Sequence, residues 1–194
     1  MEITSAQIKE LRDKTGISVM QCKKALEEAS GDMEKALIIL KKKRSEAADK
    51  KSDRELGAGA VGVYTHNTNE VAAMVLLACE TDFVAKNEEF VTLARDIAMH
   101  VAAQNPKYIS RSEVTPEVLA KAKEVFVTEV QDKPVEMQEK ILEGKLSAYF
   151  KDQILMEQPF IKNPETTIGE MVSGAVQKFG ENVTVAETKR LSVK

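Results

Sequence analysis

The sequence is poor in the groups that covalent chemistry uses. It has two cysteines, Cys22 and Cys79, and two histidines, His66 and His100. The cysteines lie far apart, and neither belongs to a Cys-x-x-Cys pair or a Cys/His cluster of metal-ligand spacing, so both read as reduced thiols in apolar surroundings. No nucleophile elbow, no His-Glu-x-x-His and no phosphate-cradling Gly-x-x-x-x-Gly-Lys-Ser/Thr run is present. Gly57-x-Gly59-x-x-Gly62 has the spelling of a dinucleotide loop in the wrong setting: these glycines precede and enter a predicted strand instead of leaving one for a helix. No catalytic set can be assembled, and neither an enzyme activity nor a cofactor or metal is expected.

Long apolar runs and an excess of one charge are also missing. The opening Met1-Glu2-Ile3-Thr4-Ser5 lacks the basic start and apolar centre of a signal peptide, and no stretch approaches the ~20 apolar residues of a membrane span. A soluble, cytoplasmic protein without a membrane partner is the expectation. Lys and Arg number 28 against 31 Asp and Glu, for a formal charge of -3, which does not suit a chain built to neutralise a phosphate backbone. No direct nucleic-acid partner is therefore expected. The basic stretch 41–51 fits two readings: an RNA or ribosome contact, or charges at a helix end running into a solvated linker.

What is present suffices for a folded protein of one or two domains, with 43% apolar residues in 194. Thr4 and Gln7 have the spacing of a capping box, so a helix follows from about Ser5 and ends near Thr15, where Gly16 can turn left-handed. Ser18 and Gln21 repeat the box, and Cys22, Ala25, Leu26 and Ala29 recur at the spacing of one helical face. Ser30-Gly31 stops that helix. Asp32 caps a third, striped by Met33, Ala36, Leu37 and Leu40. The predicted organisation is a three-helix module over residues 1–44, a polar linker, partly helical, over 45–56, and a main domain over 57–194. The loop Ile17-Ser18-Val19-Met20 offers apolar side chains where a freestanding bundle prefers polar ones, which marks the module as a docking element.

In the main domain, Ala60 to Tyr64 and Val71 to Cys79 read as two strands joined by a turn at Asn67-Thr68-Asn69. The second is apolar at nearly every position, as a strand covered by helices on both faces would be. Asn87 caps a helix striped by Phe90, Leu93, Ala94, Ile97, Ala98 and Val101. Helices follow from Pro116 to about Val130, from about Met137 past Phe150, and from Ile168 to Phe179. Gly180 stops the last of these, and Val183 to Val193 reads as a closing strand whose alternation Glu187 and Lys189 interrupt. Helices packed on a small antiparallel sheet make the domain α+β. Between the apolar strand and the helix at Asn87 lies Thr81-Asp82-Phe83-Val84-Ala85-Lys86. Here Phe83 is either a hydrophobic staple folded back on its own helix, with Thr81 capping the turn, or an exposed ring with work to do elsewhere.

Three motifs carry a resemblance that spans nearly the whole chain. Leu11-Arg12, Thr15-Gly16 and Met20-x-Cys22-Lys23-Lys24-Ala25-Leu26 precede Gly31-Asp32. Cys79-Glu80-Thr81-Asp82-Phe83-Val84-Ala85-Lys86-Asn87 and then Gln158-Pro159-Phe160 follow. In this order they resemble the translation elongation factor Ts family, in its short form with a single core. The resemblance implies a ubiquitin-associated-like three-helix module followed by an α+β core. It also implies a guanine nucleotide exchange factor that binds elongation factor Tu with GDP and promotes GDP release during protein biosynthesis. By the same resemblance Asp82 and Phe83, flanked by Thr81 and Val84, enter the GTPase near its magnesium site. Arg12, Val19, Met20 and Lys23 match positions that touch its nucleotide-binding domain. Tyr64-Thr65-His66 resembles a run whose histidine belongs to the contact surface, against which stands a simply solvated His66. Since many members carry two core subdomains and this chain has one, the resemblance implies a homodimer, for which an isologous contact is the commonest route.

Overall fold

A computed structural model of the chain describes residues 3–131 and 134–193. Met1, Glu2 and Lys194, at the ends of the predicted segments 1–44 and 57–194, and Asp132 and Lys133 lie outside the described residues. The predicted α+β class is the observed one, with the helices of the N-terminal part followed by helices on a small antiparallel sheet.

Helices α1 (Ser5–Thr15), α2 (Val19–Glu28) and α3 (Met33–Asp49) enclose a small core of Leu11, Ile17, Cys22, Ala25, Leu26, Ala36 and Leu40. Their ends follow the capping chemistry. Thr4 and Gln7 form the full reciprocal box, and Gly16 closes α1 at φ 68°. Ser18 accepts the Gln21 amide, but the return bond from the Gln21 side chain is not made, because that side chain instead accepts a hydrogen bond from Gln177 at 3.2 Å. Asp32 takes the amides of Glu34 and Lys35, which hold its carboxyl below the ordinary range. The third helix outruns its apolar stripe and continues through the basic stretch to Asp49. It is held there by its neighbour: α3 lies along α8 (Ile168–Phe179), with Lys41 paired to Glu170 at 3.0 Å and the Arg44 guanidinium donating to the Glu170 carbonyl.

The main sheet consists of β1 (Ala58–Thr65), β2 (Val71–Cys79) and β5 (Val183–Ser192), antiparallel, with β2 in the middle. Helix α5 (Glu88–Gln104) crosses one face and buries Phe90, Ala94, Ile97 and Val101 against Val75, Leu77 and Cys79. The contact at β1 is so close that a Cβ on Gly62 would sit 2.1 Å from the Ala94 carbonyl carbon, and one on Gly59 would meet the Leu77 carbonyl oxygen at 2.6 Å. The glycine spelling is thus explained by helix–strand and strand–strand approach.

Among the described residues no helix covers the opposite face of the sheet, which corrects the expectation that β2 is covered on both sides. Val61 and Val63 on β1, Met74 and Leu76 on β2, and Leu191 on β5 are all exposed there. The run misled because apolar composition does not say what covers a strand's outer face, and a bulge in β5 hides the alternation that would. Leu77 pairs with Val185 but Leu76 pairs with Glu187, leaving Ala186 unmatched and reversing the parity of β5. Val183 and Val185 therefore point to the core, whereas Glu187, Lys189 and Leu191 share the open face. The interruption in the alternation of β5 is the signature of that bulge.

Helices α6 (Pro116–Val130) and α7 (Val135–Lys151) form an antiparallel pair that packs on itself, through Phe126 against Tyr149 at 5.5 Å and a Lys145–Glu129 ion pair at 2.6 Å. Short elements escaped the sequence patterns, among them the one-turn α4 (Asp82–Ala85) and a hairpin of β3 (Pro159–Phe160) with β4 (Asn163–Thr167). They are too short for periodicity to register.

The Gln158-Pro159-Phe160 run gains a structural account. His100, fully buried on α5, accepts the Ile161 amide on Nδ1 at 3.4 Å and lies 2.9 Å through Nε2 from the Gln158 side-chain oxygen, while the Gln158 amide group donates to the Asp152 carbonyl at 2.6 Å. This pattern requires the neutral imidazole protonated on Nε2. Burial holds its pKa below the ordinary 6.5, against an opposing effect of the Gln158 hydrogen bond. Because the unfolded imidazole takes up its proton at a higher pH than the folded one, this site stabilises the fold fully above about pH 6.5 and loses that contribution as pH falls below it. We expect the melting temperature to drop between about pH 7 and about pH 5, with a shallower dependence in His100→Gln. An identical slope in the two proteins would remove His100 from the account.

Candidate docking surface

Phe83 occupies the middle of α4, which begins directly beyond the end of β2. It is 84% exposed while the adjacent Val84 is 5% exposed. The staple reading therefore holds only for its first half: Thr81 does cap α4, accepting the Val84 amide at 3.4 Å, but Phe83 does not fold back. Val84, expected among the contact residues, is packed into the main core beneath the turn. Burying a phenylalanine side chain is worth about 1.5–3 kcal/mol, so the outward ring forgoes that gain, and something holds the backbone beneath it in place.

That something is a reciprocal exchange of hydrogen bonds between the end of β2 and the start of β5. The Glu181 carboxylate accepts the amides of Glu80 at 3.1 Å and Thr81 at 3.0 Å through one oxygen, and the Thr81 hydroxyl at 2.6 Å through the other. In return the Glu80 carboxylate accepts the Asn182 amide and, at 3.2 Å, the Arg54 guanidinium. The Asn182 amide group donates to the carbonyls of Ser52 and Arg54, which ties in the strap descending from α3. The Asn182 amide, followed by Arg54, holds the Glu80 carboxyl below its ordinary range. Hydrogen bonds to charged acceptors contribute about 1.5–3 kcal/mol each where they are screened from water. These three are partly exposed and each contributes less than that, but together they fix the backbone of the turn from behind.

Asp82, at the first position of α4, forms a 2.7 Å ion pair with Lys86 one turn on, and this hydrogen bond, together with the attraction of the Lys86 charge, lowers its pKa. Both groups remain exposed, so the carboxylate is charged and available. Cys79, by contrast, is buried, its thiol donates to the Thr81 carbonyl at 3.2 Å, and burial with the nearby Glu181 charge raises its pKa. Such a thiol stays protonated and is a poor nucleophile.

The other predicted residues fall into two places. Arg12, Val19, Met20 and Lys23 are exposed on α1 and α2, with Met20 at 68%, whereas Ile17 from the same loop turns inward. Between this loop and the main domain runs a cleft of about 620 Å³ bordered by Arg12, Gly16 and Ser18 on one side and by Glu89 and Lys178 on the other. Glu89 lies in the first turn of α5, the helix that follows the Phe83 turn, so the module loop faces the start of that helix across the cleft. His66 is elsewhere. It is exposed in the β1–β2 turn, 3.0 Å through Nδ1 from the Thr68 hydroxyl, at the opposite end of β2 and hence roughly 26 Å along the strand from Cys79 at ~3.3 Å per residue.

The profile of the family described as Elongation factor TS matches residues 18–194. The chain belongs to the elongation factor Ts family. Among its relatives, Elongation factor Ts of Thermodesulfovibrio yellowstonii is 47% identical over 194 residues, covering 100% of this chain and 97% of the relative. That of Carboxydothermus hydrogenoformans is 45% identical over 193 residues, covering 98% and 89%, and that of Thermosipho melanesiensis 44% identical over 193 residues, covering 98% of each. Membership places the chain among the elongation factors of protein biosynthesis. Among the described residues, no helix is long and apolar enough to cross a membrane, and no cluster of His, Cys, Asp and Glu has metal-binding geometry. The residues that sequence reasoning missed in this family member are Glu80, Glu181, Asn182 and Arg54. Nothing short of the β2–β5 pairing brings positions 80 and 181 together.

Proposed function

We propose that this chain is a guanine nucleotide exchange factor acting in the cytoplasm on elongation factor Tu, whose GDP it expels without making or breaking a covalent bond. The observation that carries the reading is the 84% exposed Phe83 on a turn pinned from behind. The ring is the wedge and Asp82 supplies a fixed negative charge beside the partner's magnesium site, where it acts by local electrostatics. Thr81 caps the wedge and Val84 roots it. Arg12, Val19, Met20 and Lys23 dock the module on the nucleotide-binding domain. His66, at the far end of the sheet, serves a separate part of the contact surface.

Exchange requires that the factor bind the empty GTPase more tightly than the GDP-loaded one, and by linkage GDP then weakens the factor equally. A buried aromatic side chain contributes about 1.5–3 kcal/mol, and several contacts together reach the scale of an interface hot spot. An RNA-binding reading draws little support. Within the basic stretch Lys41 is paired with Glu170, Lys43 with Glu28, and Lys42 with Glu46 at the outer limit of 4.0 Å.

The uncovered sheet face supports the homodimer. Val61 and Leu76 lie opposite each other, as do Val63 and Met74, with the Glu187–Lys189 pair beside them at 3.2 Å. A two-fold copy of this face is apolar at its centre and can exchange the charged pair across the axis.

In stopped-flow GDP release from elongation factor Tu, we expect Phe83→Ala and Asp82→Ala to melt within about 2 °C of the parent, as exposed substitutions do, yet to release GDP far more slowly. A folded Phe83→Ala protein with full exchange activity would sink the wedge. For the dimer, light scattering at tens of micromolar should give twice the chain mass, unchanged by reducing agent, and Val63→Glu should halve it. A monomeric parent would contradict the assembly.

A further inference from the structure

The pinning of the Phe83 turn falls to one side chain outside every motif of the resemblance. Helix α8 ends at Gly180, whose left-handed φ of 75° reverses the chain, so that Glu181 arrives directly against the point where β2 runs out. The β2–β5 ladder closes at Cys79 opposite Val183. Beyond it the amides of Glu80 and Thr81 have no strand partner, and one Glu181 oxygen accepts both. The second oxygen accepts the Thr81 hydroxyl proton, which leaves a lone pair of that hydroxyl for the Val84 amide. A single carboxylate thus sets two backbone amides and, through Thr81, the cap of α4.

We propose that Glu181 is the positioning residue of the docking turn: it touches no nucleotide and no partner group, but it holds residues 80–84 so that Asp82 and Phe83 enter the GTPase as one rigid unit. The proposal rests on the exchange reading for its functional half and on the free protein alone for its structural half. The clamp sits at the rim of the fold, with Thr81 exposed, so amides released by its loss find water and the domain stays folded. What is lost is preorganisation, and a displacement of about 1 Å in a positioned group can cost on the order of a hundredfold in rate.

The test uses the full chain with Glu181→Ala and Glu181→Gln, and Phe83→Ala run in parallel. Hydrogen exchange of the free protein should show the Glu80, Thr81 and Val84 amides losing protection in Glu181→Ala while α5 and β2 keep theirs; unchanged protection at these amides overturns the clamp whatever the partner does. In GDP release, the maximal rate of Glu181→Ala should fall by about tenfold or more with little change in the concentration giving half-maximal effect. Glu181→Gln should recover most of it, since its amide oxygen accepts the two backbone N–H groups and its NH2 donates to the Thr81 hydroxyl. Parental rate in Glu181→Ala, with Phe83→Ala slow, overturns the positioning role. Equal damage in the Gln and Ala variants does so too, because a merely structural carboxylate is not rescued by its isostere. Should Phe83→Ala itself exchange at the parental rate, the docking reading falls, and hydrogen exchange still decides whether Glu181 fixes the turn.

Discussion

At the seam where β2 ends and β5 begins, two acidic side chains each accept backbone amides from the other's strand, Glu181 from Glu80 and Thr81, and Glu80 from Asn182. Most of what distinguishes this molecule from a generic α+β domain depends on that exchange. It closes the sheet at one end, receives the strap from the helical module through Asn182, and fixes a one-turn helix too short to hold itself. It also holds the backbone on which Phe83 stands outward. Val84 provides the complementary constraint from below, so the turn is held on both sides.

The helices were legible because their determinants are local. The Thr4–Gln7 box, the Asp32 and Asn87 caps and the glycines at 16 and 180 each act within a turn of their own position, and the observed ends fall on them. Which face of the sheet is covered was not legible. Val71 to Cys79 is apolar throughout, and an apolar run says nothing of whether a helix or a second subunit covers the outer side. The Ala186 bulge hid the answer further, since it places Glu187 on the open face and leaves the β5 pattern looking broken. In the candidate site, the cap at Thr81 could be read locally. The outward turn of Phe83 and the inward turn of Val84 could not, because the backbone from which they project is held by Glu181, a hundred positions from Thr81.

The same constraints distribute roles over the chain. One sheet face is occupied by α5, brought close by Gly62, and the other leaves Val61, Val63, Met74, Leu76 and Leu191 exposed. One end of β2 carries the Phe83 turn and the other carries His66. The helical module is not free to swing as a bead on a string: Lys41 and Arg44 on α3 engage Glu170, which also closes the capping box of α8 with Thr167. The loop residues Gly16, Ile17 and Ser18 are thereby kept across a cleft from Glu89, in the first turn of the helix that follows the Phe83 turn. A partner that meets both meets a surface of largely fixed geometry, which spares it the entropy of ordering either.

On the proposed function, the Phe83 turn and a bound GDP compete for the same state of elongation factor Tu. Calorimetric titration of this chain into nucleotide-free and into GDP-loaded elongation factor Tu measures that competition directly, and reciprocity fixes what must be seen. The empty GTPase should bind the chain more tightly, by the same factor by which the chain weakens GDP, and Phe83→Ala should shrink both factors together. Equal affinity for the empty and the GDP-loaded forms would contradict the account.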